Sequence, residues 1–344
     1  DLVWPSPDTH VRDAGRLSRA QGTLLGQLAG DALGSLVEFE SPESIAGRYP
    51  DGVRRIEDGG TWDTIAGQPT DDSELALALA RSLVDAGRFD DEAVARAYVD
   101  WLASQPFDIG STTRQALQAG AAARGRGEPV ADAARRGGNR SSQANGALMR
   151  VSPLGIFGCG SAADDVAEWA RRDAALTHPN GVCLDASAIF AVAVARAVAA
   201  GGTPAEIHAH AVDWGRRARI EETVLRAVEE AASGPPSEMV TQQGWVLKAL
   251  RNAFHRLLAA PSLEEGVVAT VGAGGDTDTN AAIAGALLGA VHGREAIPAQ
   301  WRDRVLTCRP IRGLAGVRHP RPRIDWPVDA LVLAERLAFL AGQR

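Results

Sequence analysis

Lysine is almost absent: Lys248 is the single example among 344 residues, and every other basic side chain is Arg or His. A P-loop needs a lysine after its glycines, and a Schiff-base enzyme needs one in its pocket. Lys248 lies in the apolar run Trp245-Val246-Leu247-Lys248-Ala249-Leu250, which reads as the surface position of a helix. Cysteine is scarce as well. Cys159, Cys183 and Cys308 are far apart and odd in number, which excludes a disulfide framework and a C-x-x-C zinc site and fits a cytoplasmic setting. Aromatic residues make up only 5%, too few for an aromatic-rich β-sandwich. Net basic charge is also missing: the balance of −7 leaves no footprint for nucleic acid. No uninterrupted apolar run is long enough for a bilayer, and Asp1-Leu2-Val3-Trp4-Pro5-Ser6-Pro7 lacks the pattern of a secretory leader.

What is present is alanine, small residues and helical periodicity. Apolar residues reach 45%, enough for a sizeable core. The pattern predicts helices over 16–36, 74–86, 92–102, 186–200, 280–291 and 328–340. The segment 186–200 is apolar all round, as expected of a central, buried helix. Loops are expected at 50–67, 137–143, 234–238 and 313–327. The run Gly266-Val267-Val268-Ala269-Thr270-Val271-Gly272 could be a buried strand or a helix. No repeat or low-complexity linker divides the chain. The expectation is one all-α domain over 16–344, preceded by an N-terminal extension over 1–15.

Three acidic motifs stand out. In Thr70-Asp71-Asp72-Ser73-Glu74, Asp71 and Glu74 fit a capping box, yet a cap does not need Thr and two successive carboxylates together. Gly274-Gly275-Asp276-Thr277-Asp278-Thr279 alternates carboxylates in the manner of a hard-cation site. It is not an EF-hand, because Ala281 and Leu287 stand where Gly and Glu would be required. It is not a dinucleotide fingerprint either, because Thr277 replaces the last glycine. In Gly30-Asp31-Ala32-Leu33-Gly34, the two glycines lie one turn apart and offer a smooth strip for close helix contact. Glu38 follows where the helix should end, a place that mildly disfavours a carboxylate.

Together with Asn145-Gly146-Ala147-Leu148-Met149-Arg150, and taken in order from Gly30 to Thr279, these motifs resemble the ADP-ribosylglycohydrolase family. The resemblance implies an all-helical domain with a central cleft holding two divalent cations, Mg²⁺ or Mn²⁺. It carries the metal ligands onto Thr70, Asp71, Asp72, Asp276, Asp278 and Thr279, with Glu38 binding metal or gating the site. Asp108, in Pro106-Phe107-Asp108-Ile109-Gly110, matches a cleft carboxylate with an acid/base role; an Asx-turn before Gly110 explains it equally well. Glu38, Asp108 and Asp278 are thus the catalytic candidates. Asp108, Gly110, Asn145, Gly146, His178, Gly274 and Gly275 are the substrate-binding ones. Asn180 departs from relatives that carry a second His there.

The implied reaction is metal-dependent hydrolysis of the N- or O-glycosidic bond between ADP-ribose and a protein side chain, arginine first, releasing ADP-ribose. A free ADP-ribose derivative or nucleotide conjugate as substrate, and a non-catalytic ADP-ribose-binding homologue, are the alternatives. No membrane or nucleic-acid partner is expected, and the chain is expected to act as a monomer. The arginines Arg309, Arg312, Arg318, Arg321 and Arg323 read better as a solvated basic surface than as a phosphate site. His208 and His210 also read as surface.

Overall fold

Small side chains set the geometry of the centre. Along the first helix, Gly22, Gly26, Gly30 and Gly34 recur once per turn and so share one face. They face Gly289, Gly285, Ala281 and the Thr277–Asp278 backbone. A Cβ on Gly30 would lie 2.1 Å from the Ala281 carbonyl oxygen, and one on Gly285 would lie 2.2 Å from that of Gly26. The two backbones therefore touch, which any larger residue would prevent.

The computed structural model describes residues 11–343, so most of the expected extension, residues 1–10, lies outside the described residues. The helices run in order α1 (Ala14–Gly34), α2 (Pro42–Arg48), α3 (Asp71–Ala86), α4 (Asp91–Ala103), α5 (Ser111–Gly125) and α6 (Val130–Gly137). Then come α7 (Ser152–Phe157), α8 (Ala163–Ala175), α9 (Gly181–Ala200), α10 (Pro204–Ala218), α11 (Glu222–Glu230) and α12 (Val246–Ala259). The last are α13 (Leu263–Val271), α14 (Thr277–His292), α15 (Ala299–Thr307) and α16 (Ala330–Ala341). Among the described residues the only β-pairings are two isolated bridges, Gly59 with Thr64 and Ala144 with Trp245. The all-α expectation holds.

All six expected helices exist, several of them starting earlier than the periodicity suggests. The ambiguous run is helical: 266–271 belong to α13 and Gly272 is its C-cap. Ser262 caps that helix by accepting from the Glu265 N–H, and Glu264 and Glu265 occupy its first turn. Helix α9 is long and apolar enough to cross a bilayer by composition, but most of it is buried, packed against α7, α8, α10 and α14. Phe190 and Ile189 at its centre are fully buried, each stabilising the fold by roughly 1.5–3 kcal/mol. Lys248 is partly buried and pairs with Glu238. His208 and His210 are half-buried, not surface; the His208 ring hydrogen-bonds the Val228 carbonyl.

The arginine stretch is divided by burial. Arg321 is buried and bonds Glu74 Oε1 and Oε2, each at 2.8 Å, and Asp325 Oδ2 at 2.9 Å. Reading Arg321 as solvated surface is therefore wrong, because its two carboxylate partners are themselves buried.

Candidate metal centre and substrate cleft

The N-terminus of α3 is built without an ordinary cap. Thr70 occupies the cap position, but its side chain makes no bond to the helix backbone. Its hydroxyl lies 2.9 Å from both Asp31 Oδ1 and Asp72 Oδ2. The capping role falls to Asp31 of α1, which accepts from the Thr70 and Ser73 N–H groups at 3.2 Å. Asp71 and Asp72 are thereby freed for another task. Glu74 does not close a capping box; it is bound by Arg321 and by the Trp101 indole.

At the start of α14, Gly274 and Gly275 both have positive φ, 73° and 77°. The Gly275 carbonyl accepts from Phe39 N–H at 2.7 Å, and its N–H donates to the Glu40 carbonyl at 3.0 Å. This pairing ties the Glu38 segment to the ligand-bearing helix start. A Cβ on Gly274 would meet the Glu40 carbonyl, and one on Gly275 the Met239 carbonyl. Neither glycine is among the residues that line the cleft described below; the turn and the close backbone approach already require both.

The result is a convergence of carboxylates. One oxygen each of Glu38, Asp276 and Asp278 lies within 4.8 Å of the others, with all three residues buried. Trp62 Nε1 donates to Glu38 Oε2 at 2.6 Å, and Asn145 Nδ2 donates to Asp276 Oδ2 at 2.7 Å. Gly110 N–H donates to Asp71 Oδ2 at 3.3 Å. Asp278 Oδ1 accepts from Thr279 N–H at 2.8 Å. Asp72 Oδ1 is buried with no partner.

Among the described residues no Arg, Lys or His forms an ion pair with Asp31, Glu38, Asp71, Asp72, Asp108, Asp276 or Asp278. Their affinity for protons rises accordingly. Burial, then the Asp276 charge, pushes Glu38 up to about 8. Burial pushes Asp71 up to about 7 and Asp31 up to about 6. Burial, then the charges of Asp71 and Glu38, pushes Asp108 up to about 10. Asp72 and Asp278 are also raised, by burial first and by neighbouring carboxylates second. Such a cluster is stable as charge only when cations enter it. The donor set, carboxylates with Thr70 and Thr279 hydroxyls, suits hard divalent ions.

The cluster borders a cleft of about 440 Å³. Glu38, Asp71, Asp108, Gly110, Asn145, Gly146, His178, Asp276 and Thr279, all candidates from the sequence, line it together. Thr70, Asp72 and Asp278 stand behind this wall. Trp62, Gln243 and Gly244, to which the sequence assigned no role, also line the cleft, and Asp31 braces the Thr70 turn behind it. Asp31 had a signal, a lone carboxylate on an otherwise small and apolar helix face. Trp62 had none, since it sits in a loop without periodicity. The Trp62 ring contacts Phe39 and Phe107, and Phe107 lies against His319, forming an aromatic rim.

An all-helical chain with a cation-seeking carboxylate cluster at the wall of a cleft defines a class, a metal-dependent enzyme. Comparison with known proteins narrows it. The sequence profile described as ADP-ribosylglycohydrolase matches residues 12–326. The chain is 30% identical over 289 residues to the ADP-ribosyl-[dinitrogen reductase] glycohydrolase of Rhodospirillum rubrum, covering 83% of this chain and 90% of that protein. It is 28% identical over 334 residues to the ADP-ribosylarginine hydrolase Tri1 of Pseudomonas putida (strain GB-1), covering 93% and 83%. A solved structure, "ADP-ribosylglycohydrolase-related protein complex", matches with a TM-score of 0.73 at 29% identity, covering 95% of this chain and 99% of that one. The chain belongs to the ADP-ribosylglycohydrolase family, metal-dependent hydrolases acting on glycosyl bonds.

Proposed function

We propose that this protein removes ADP-ribose from arginine side chains of modified proteins, with two Mg²⁺ or Mn²⁺ ions held by Glu38, Thr70, Asp71, Asp72, Asp276, Asp278 and Thr279. The observation that carries the reading is the charge of the cleft. Glu38, Asp71, Asp108 and Asp276 line it, and no Arg or Lys is among the described lining residues. With the cations offsetting most of the carboxylate charge, the mouth still offers a guanidinium no like-charged side chain and the Asp108 carboxyl as an acceptor; a serine linkage gains nothing comparable. The name of the Pseudomonas relative supports the same linkage.

Cleavage at the anomeric carbon passes through an oxocarbenium-like state, which neighbouring carboxylates stabilise. When bound, a cation pair supplies a water of lowered pKa and orients oxygen ligands. The remaining tasks fall to the chain. Asp108 faces the cleft, and its burial favours the protonated form that a general acid to the departing side chain needs. Glu38, fixed by Trp62, sets the cation-facing edge of the cleft. Asn145 orients Asp276. The three cysteines are buried and unbridged, which supports a reducing, cytoplasmic setting.

The test is release of ADP-ribose from proteins modified on arginine or on serine, with Mg²⁺ or Mn²⁺ present. Release from arginine is expected. Release from serine alone would overturn the linkage, and no release from either would overturn the reading.

A further inference from the structure

We propose that Thr177 and Arg150 fix His178 as its neutral Nε2–H tautomer, so that the ring offers one hydrogen-bond donor to an acceptor oxygen of ADP-ribose in the cleft. The ligand in this proposal rests on the function proposed above; the tautomer does not.

The chain of donors starts in the core. Arg150 and Asp173 are fully buried and paired, Nε to Oδ2 at 3.1 Å, and the Tyr98 hydroxyl donates to Asp173 Oδ1 at 2.7 Å. Arg150 Nη1 donates to Thr177 Oγ1 at 2.9 Å and to the Gly146 carbonyl at 3.2 Å. A guanidinium has no acceptor, so Thr177 Oγ1 must accept from it. The Thr177 hydroxyl hydrogen then needs an acceptor of its own, and His178 Nδ1 lies 2.8 Å away. No other acceptor meets this fully buried hydroxyl among the described hydrogen bonds. A proton on Nδ1 would leave the hydroxyl unsatisfied in the core, so the proton sits on Nε2.

Nε2 faces the cleft without a protein partner among the described residues, although only 1% of the residue is exposed. Burial, then the Arg150 charge, lowers the ring's pKa to about 3, so it stays uncharged. Gly146 keeps the approach open. A Cβ there would stand 2.9 Å from His178 Cε1, 3.1 Å from Nε2 and 3.2 Å from Thr113 Oγ1. Thr177 and Arg150 are thus positioning residues, and His178 is the group that touches ligand.

The experiment is long-range ¹⁵N–¹H NMR on histidine-labelled protein, with the His178 signals assigned by their loss in His178→Gln. The ligand-free spectrum should show the Nε2–H tautomer; the Nδ1–H tautomer would overturn the lock whatever the substrate is. ADP-ribose should shift the Nε2–H signal, and ADP in its place tells a phosphate oxygen (the same shift) from a distal ribose oxygen (no shift). Absence of a shift while calorimetry shows ADP-ribose binding would overturn the donor role. Absence of binding would instead fail the functional reading, and the ligand clause with it. Thr177→Val should lower the Nε2–H population and weaken ADP-ribose binding by the fraction lost, roughly twofold, chiefly in KM. Thr177→Ser should restore both. Gly146→Ala should keep the tautomer and lose the ligand-induced shift. A Thr177→Val protein with unchanged tautomer and affinity would also refute the proposal.

Discussion

Two groups of buried carboxylates begin on the same turn of α3 and differ in one respect. Asp71 and Asp72 face carboxylates from three other segments with no cation of their own chain nearby. Glu74 turns the other way and meets Arg321, which also holds Asp325. Burial pushes Glu74 up to about 8 even against the opposing pull of the Arg321 guanidinium, so what sets this group apart is its hydrogen-bonded partner rather than its proton affinity. The second group is complete as folded. The first has a charge balance that only an added cation can close. Burial alone therefore does not mark a functional acid; burial without a built-in counter-charge does.

The comparison can be broken most severely from the structural side. Arg321→Met should strand Glu74 and Asp325 as unpaired buried acids and cost about 3–5 kcal/mol, read by urea unfolding. Asp278→Asn should behave oppositely. Outer-shell changes at metal sites cost about 10–100-fold, so loss of a direct ligand should leave ADP-ribose release below about one-hundredth of wild type. The metal-free variant should be as stable as wild type or more so, since one repelling charge is gone. Retained activity would remove Asp278 from the ligand set.

The third prediction sharpens the comparison through pH. Asp31, Asp71 and Glu38 titrate near 6, 7 and 8 in the folded protein, above their ordinary 3.8, 3.8 and 4.5. The folded state thus binds more protons than the unfolded chain across that window. Metal-free stability should be full below the ordinary values and fall as pH rises through the folded ones. The slope is about 1.4 kcal/mol per pH unit for each extra proton the folded state holds. A thermal melt in EDTA should drop by several degrees between pH 5 and 8. Mg²⁺ or Mn²⁺ should restore the loss, most at pH 8, because the cation takes the place of the protons. Equal melting with and without cation at pH 8 would show that the cluster binds none.

Much of this was legible in the sequence. Asp71, Asp72, Asp276 and Asp278 were legible as acidic clusters at helix starts and Glu38 as a carboxylate past a helix end, but each alone fits an ordinary surface or cap residue; the order of the motifs along the chain, and the family it resembles, joined them. The helical class followed from periodicity and small residues. The rest depended on contacts across long separations. Arg321 looked like one more surface arginine because its partner Glu74 lies 247 positions away. Trp62 and Gln243 come from loops, where no period announces a direction. Gly274 and Gly275 show why glycine is hard to read, since closeness to a neighbouring backbone and closeness to a ligand make the same demand on a residue. The strand ambiguity at 266–272 could have been resolved, since Ser262 and Glu265 spell a helix start.

The glycine seam between α1 and α14 has a mechanical consequence. Its last rung sets Gly34 against the backbone of Thr277 and Asp278, where a Cβ would stand 2.4 Å and 2.5 Å from backbone atoms. The seam also carries Asp31, the residue that fixes the opposite ligand turn. The spacing between the two halves of the acidic cluster is thus gauged by main chain against main chain, the stiffest ruler a helical protein has. The one side chain in that measurement is Asp31, buried and held by the Thr70 and Ser73 N–H groups. The geometry of the centre is an inheritance from the core, and errors in it enter by prising two helices apart or by losing that carboxylate.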